Sequence, residues 1–237
     1  MNSFKMLIGV VLLALAISSP LHAAPVVCVD PGHPSEISAG ASAGRLTERH
    51  LAWVVALKLK AILSSRGVSV VMTKTREREL VTNRHRAEIA NAAGAAAMIR
   101  LHCDAGAGRG FTWYYPDHAA TKDGVTGPPP DVCEHSRLLA ATMRETMTPL
   151  LAGHLASNPV KTDAATHVGA GQGGVLTGSI FARVPTALIE MCFLNQRGDA
   201  AYLASEAGQN EMASALAAGV MAYLARTPRS EDLNGPR

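Results

Sequence analysis

Three short apolar runs, each leading into a side chain able to bind a metal or move a proton, constrain this chain more than anything else in it. Val26–Val29 leads into Asp30-Pro31-Gly32-His33, Ala97–Leu101 into His102, and Ala187–Ile189 into Glu190. Runs this short and this apolar read as buried strands. Helix-like segments lie between them, and strand–helix alternation predicts an α/β fold: a single domain with a mostly parallel central sheet and helices on both faces. In such a sheet, ligands and catalytic groups gather at the carboxyl ends of the strands. The three polar residues are therefore expected along one edge. Glu48, which opens the first long helix, is a fourth candidate for that edge.

Val26–Asp30 is β-branched and closed by Pro31-Gly32, and is expected as the first strand. Thr47 is placed to cap a helix running through Ser65, ended by Arg66-Gly67. Val68–Thr73 is expected as a strand, Val81–Ala93 as a helix and Phe111–Tyr115 as a further strand. Pro116–Asp131 contains Gly127-Pro128-Pro129-Pro130 and is expected to be loop. A helix over Val132–Leu151 should stop or kink at Pro149. Asn158–Gly174 is glycine-rich and irregular; Gly174–Thr177 and Thr186–Met191 are expected as the last strands, and Gln209–Arg226 as a closing helix. Neither an internal repeat nor a second domain is evident.

Residues 1–24 have the pattern of an export signal: Lys5 near the start, the apolar run Met6–Ile17, and small residues up to Ala24. An uncleaved anchor is the competing assignment, but the apolar run is shorter than the roughly 18–20 residues a spanning helix needs. The domain proper is expected over 25–226, working in the periplasm, with 227–237 a disordered tail. A net charge of +3 with no basic stripe argues against a nucleic-acid partner. Four cysteines, Cys28, Cys103, Cys133 and Cys192, permit disulfides in an exported chain, and their spacing does not suit a cysteine zinc site. Cys28 reads as a buried thiol, and Cys103 with Cys133 is the first pairing to test.

Glu48 precedes the helical core stripe Leu51, Val55, Leu59 and Ile62 by one turn and falls on the same face. A carboxylate aimed at an apolar face costs several kcal/mol unless something compensates it; a solvated first turn is the plain alternative. Two imidazoles and a carboxylate (His33, His102 and Glu48) form a set able to hold catalytic zinc while leaving a position for water. Glu190, at the end of an apolar strand, is then a general base and acid; its alternative is an ion pair with Arg183. Among the other histidines, His167 is a candidate substrate contact. Arg76 and Arg86 are expected to tie down the sheet edge.

At these residues the chain resembles the zinc-dependent N-acetylmuramoyl-L-alanine amidases of the amidase-3 family, bacterial enzymes that trim peptidoglycan. The stretches carrying the resemblance are Val26–His33, Arg45–Leu63, Thr75-Arg76, Arg86–Asn91, Ile99–Gly106 and Val184–Asn195. The resemblance implies zinc held by His33, Glu48 and His102, with Glu190 as the catalytic carboxylate. It also implies a peptidoglycan substrate and allows for a regulatory protein partner. The chain departs from the family's pattern at Cys192, where many members carry a small residue, and at Asp104, where asparagine is common. Its Pro116–Asp131 segment is longer than a minimal member needs. Two other functions fit the residues: a zinc hydrolase cutting a different bond, and a non-catalytic wall-binding protein of the same fold.

Overall fold

A computed structural model of the chain describes residues 23–227. In chain order these form β1 (Val26–Pro31), β2 (Ser42–Ala43), β3 (Leu46–Thr47), α1 (Glu48–Ser65), β4 (Ser69–Met72), α2 (Asn83–Ala92), β5 (Ala97–Asp104) and β6 (Thr112–Tyr115). The second half forms β7 (Ala120–Lys122), β8 (Val125–Gly127), α3 (Pro130–Leu150), β9 (Lys161–Thr162), a 3-10 turn at Asp163–Ala165 and α4 (His167–Ala170). It closes with α5 (Thr177–Ile180), β10 (Thr186–Phe193), α6 (Arg197–Ala204) and α7 (Glu206–Arg226). The export-signal pattern, apart from Ala23 and Ala24, and the tail beyond Thr227 lie outside the described residues. No helix among the described residues is long and apolar enough to cross a membrane.

Six strands make one sheet in the order β4-β1-β5-β10-β6-β9. β4, β1, β5 and β10 run parallel; β6 lies antiparallel to β10 and carries β9 parallel to itself. The expected α/β class with a mostly parallel sheet is thus what forms. Strand side chains alternate between faces, and the two faces are put to different uses. Val27, Val29, Ile99, Leu101, Ala187 and Ile189 enter the main core, packed by α1, α3 and α7. Complete burial of each such aliphatic side chain is worth roughly 1.5–3 kcal/mol. On the opposite face Cys28 and Met98 pack together at the start of β1 and β5, and Leu188 of β10 packs with Tyr114 and Leu176. Farther along, Asp30, Arg100, His102 and Glu190 occupy that register.

Side-chain caps start the helices as their sequences suggest. Thr47 accepts from the His50 amide, Thr82 from that of His85, and Ser205 from that of Gly208. Gly67, at φ 77°, turns the chain from α1 towards β4. Pro149 falls within the last turn of α3, which ends one residue later.

Several expectations are corrected. Pro116–Asp131 is not plain loop, because β7 and β8 pair as an antiparallel hairpin. Its turn is Asp123-Gly124 with both residues at positive φ, 51° and 74°, the conformation favoured in tight hairpins. Gly174–Thr177 is a turn into α5 rather than a strand; Asp163 accepts from the Leu176 amide at 3.1 Å and draws the chain off the sheet. α6 was not anticipated. The Cys103–Cys133 disulfide is absent: all four cysteines are free and buried. Cys103 lies on β5 and interacts with Cys192 of the adjoining strand, whereas Cys133 sits at the start of α3 near the Pro128 carbonyl. Arg76 is exposed, while Arg86 does brace the sheet edge.

Candidate metal centre

Glu48 is buried at the first turn of α1, on the stripe of Leu51, Val55 and Leu59. Its position is fixed from behind by the short β2–β3 pair, which ends at the capping residue Thr47. The Ala41 amide donates to Glu48 Oε2 at 2.7 Å and the Cys103 amide to Oε1 at 3.2 Å. Two imidazoles meet that same Oε1: His102 Nδ1 at 2.8 Å and His33 Nε2 at 3.3 Å. Side chains from β1's following turn, α1 and β5 therefore converge. His102 and Glu190 lie within the last part of their strands, not beyond them, because β5 runs to Asp104 and β10 to Phe193.

The donor set suits a cation. His33 Nδ1 lies 3.1 Å from the Ser38 carbonyl, which can only accept, so Nδ1 carries hydrogen. In the neutral tautomer Nε2 then turns a lone pair towards a carboxylate oxygen, and two acceptors face each other. A proton on the ring or a cation between them resolves the conflict. Tetrahedral zinc with ligand bonds of about 2.0–2.1 Å places neighbouring donors roughly 3.3 Å apart, which matches the His33–Glu48 spacing. The donor atoms of His33, Glu48 and His102 all lie within 4.8 Å of one another. His102 Nε2 is also buried without a hydrogen-bond partner.

Charges inside the cluster are strongly biased. Burial alone would raise the Glu48 carboxyl, but hydrogen bonds from His102 and His33 outweigh it and hold it far below the usual range. Burial would lower His33, yet Glu48 outweighs it and raises the ring. His102 is lowered by burial despite Glu48, which keeps it neutral and fit to be a ligand.

Gly32 explains part of the local sequence. A Cβ there would come within 2.6 Å of the His102 ring, so only glycine lets the ring lie across the end of β1. His33 itself adopts φ 49°, an uncommon backbone for a side-chain-bearing residue that costs of order 1–3 kcal/mol. Lys74 Nζ donates to the carbonyls of His33 and Glu77, and Arg86 Nη2 to that of Pro34 at 2.9 Å, so the turn is clamped in this shape.

Below the turn lies an ionic floor. Asp30 is fully buried and accepts from Thr73 Oγ1 at 2.5 Å, Arg86 Nη1 at 2.5 Å and Arg100 Nε at 3.0 Å. Burial raises its carboxyl, but the two guanidiniums outweigh this and hold it well below the usual range. Asp30→Ala strands both cations and is expected to cost about 3–5 kcal/mol of stability, read as a lower denaturant midpoint. An unchanged midpoint would refute this role. The unfolded chain takes up a proton on Asp30 near pH 3.8, whereas the folded chain resists until lower pH. Between those values the unfolded state binds more protons, so stability falls as acid is added, and Asp30→Asn should flatten that slope.

Glu190 occupies β10 directly across from His102 in the parallel register. Its Oε2 is buried and unpartnered. Burial first, then the charges of Glu48 and Asp104, push its carboxyl well above the ordinary range. Arg183 does not pair with it and instead donates to the Ile180 and Ala182 carbonyls. The metal-ligand candidates and Glu190 line one cleft of about 420 Å³. Its other bank carries His167, the candidate substrate contact, together with Leu176 and Thr177. Tyr114 and Arg100, which sequence reasoning passed over, also line it. The signal for Arg100 was present: it is a charge inside the apolar run Ala97–Leu101.

A mostly parallel sheet with a possible metal site and an unpartnered carboxylate on one edge is an arrangement able to support hydrolysis. The chain belongs to the N-acetylmuramoyl-L-alanine amidase family amidase-3, whose family model matches residues 27–222. It is 27% identical over 250 residues to an N-acetylmuramoyl-L-alanine amidase of Mycobacterium tuberculosis, covering 93% of this chain and 98% of that one. To the sporulation-specific N-acetylmuramoyl-L-alanine amidase of Bacillus subtilis it is 35% identical over 97 residues, 40% of this chain and 37% of that one. The matches to that protein and to CwlM of Bacillus licheniformis thus span only 37% and 36% of those relatives. In fold it is similar to the apo amidase Ami1 of Mycobacterium abscessus, with a TM-score of 0.70 at 23% identity, covering 86% of this chain and 100% of that one. AmiC2 of Nostoc punctiforme gives 0.67 at 24% identity, covering 85% and 98%.

Proposed function

We propose that this chain is a zinc-dependent peptidoglycan amidase, cutting the amide between the lactyl group of N-acetylmuramic acid and the first L-alanine of the stem peptide. The observation that carries this is the cluster of half-buried His33 with buried Glu48 and His102, and Glu190 across from His102 on the adjoining strand. Membership of the family supports the choice of bond. Zinc, when bound, supplies Lewis-acid polarisation of the carbonyl and a water of lowered pKa.

The protein's own groups do the rest. Glu48 is held by two backbone amides, so its oxygen keeps a fixed position, and the Ser38 carbonyl sets the His33 tautomer. Glu190 takes the proton from the attacking water and returns it to the departing amine. Its raised affinity for a proton, set by burial and by Glu48, suits that exchange. Because the substrate lies outside the cytoplasm, export to the periplasm through the 1–24 segment goes with this function.

Purified sacculi incubated with the protein, with and without added zinc, test the proposal when the released fragments are identified by mass. Intact stem peptides free of sugar are expected. Fragments cut within the stem would point to a zinc peptidase instead. Binding without release would point to a non-catalytic wall protein.

A further inference from the structure

Arg100 lies two residues before His102 on β5, in the same side-chain register, and is only 3% exposed. Its Nε donates to Asp30 Oδ2 at 3.0 Å and its Nη2 to Asn83 Oδ1 at 2.7 Å. Nη1 makes no hydrogen bond among the described residues, and Arg100 borders the cleft that also holds Glu190. One side of the guanidinium rests against Gly178, where a Cβ would come within 2.8 Å of Nη1. Glycine there leaves the room that Nη1 occupies.

The charge balance gives that nitrogen a purpose. Asp30, the partner of Arg100, is also the partner of Arg86. Arg86 spends its remaining nitrogens on the carbonyls of Val81, Pro31 and Pro34. Two buried guanidiniums therefore share one carboxylate. Of the other ionisable groups near Arg100, Asp163 is occupied by the Leu176 amide and Ser179, and Glu190 and His102 belong to the site already described. Desolvating a buried cation is costly, and the one ion-pair partner of Arg100 is shared. An arriving carboxylate would offset that cost through a charge-assisted bond to the free nitrogen. Since the metal-ligand candidates and Arg100 line the same cleft, this carboxylate would sit on the same ligand as the scissile amide.

We propose that Arg100 is a specificity-determining residue, receiving a free carboxylate of the stem peptide in the cleft beside the metal centre. The inference rests on the amidase function above.

The test compares two soluble muramoyl peptides that differ only in one stem carboxylate, free in the first and converted to a primary amide in the second. With the zinc-loaded protein, kcat/KM for the acid should exceed that for the amide by roughly 10- to 100-fold, the range expected for one hydrogen bond to a charged group. R100Q should bring that ratio to within about twofold, and R100K should retain part of it. A residue that only braced Asp30 and Asn83 would lower both rates and leave the ratio unchanged. Equal cleavage of both peptides by the parent protein overturns the Arg100 proposal and leaves the amidase function standing. Cleavage of neither overturns both. Zinc content and melting temperature establish that R100Q is folded; should it not fold, the parent ratio with that of R100K decides the matter.

Discussion

Glu190→Gln is expected to lose about 10²–10⁴-fold in kcat, the usual worth of a general acid–base group, while zinc content stays at the parental level. Glutamine preserves the shape of the side chain and removes its capacity to carry the proton. The same substitution should leave the melting temperature unchanged or raise it. Burial and the neighbouring charges of Glu48 and Asp104 disfavour the ionised carboxyl, and Oε2 has no partner. A group whose proton affinity rises on folding detracts from stability as pH climbs past its unfolded value of about 4.5. Loss of rate together with equal or better stability is the signature of a residue kept for chemistry. A variant turning over sacculi within tenfold of the parent would remove Glu190 from the mechanism.

Stripping the metal is expected to have the larger effect. Chelation should abolish amide hydrolysis, and added zinc should restore it. His102→Ala and Glu48→Ala should each bind far less than about one zinc per chain, because a catalytic site relies on three protein ligands. A readout independent of turnover accompanies this. A ligand bound only by the folded state, at a concentration about 100 times its Kd, adds about 2.7 kcal/mol of stability. The zinc-loaded protein should therefore melt well above the chelated one, and His102→Ala should show no such gap. Full activity in the metal-free protein would end the zinc assignment.

Much of this was legible in the sequence, for physical reasons that differ by segment. β1, β5 and β10 stood out because central strands of a parallel sheet are covered on both faces and read as unbroken apolar runs. Glu48 stood out as a carboxylate on an otherwise apolar helical stripe. Other segments answer to tertiary contacts that local pattern does not carry. Gly174–Thr177 has strand-like composition, yet Asp163 captures the Leu176 amide and the chain turns into α5. Position along the chain suggests pairing Cys103 with Cys133, whereas neighbouring strands bring Cys103 beside Cys192. The β7–β8 hairpin was a missed local signal: Asp123-Gly124 between Ala120–Lys122 and Val125–Gly127 is a turn sequence, obscured by the three prolines that follow. Arg100 sits inside an apolar run, where a charge gains meaning only once Asp30 and Asn83 are brought beside it by the fold.

The cleft's two banks come from different stretches of chain. His33, Glu48 and His102 all belong to the first half of the chain, and the bank of His167, Leu176 and Thr177 comes from the segment between β9 and β10. That later segment is tied down by contacts of its own, above all through Asp163, and none of them reaches the three metal-ligand side chains. The bank of His167, Leu176 and Thr177 is thus held in place separately from the three metal-ligand side chains. Lengthening or trimming that bank is therefore expected to reshape the cleft while leaving His33, Glu48 and His102 in place.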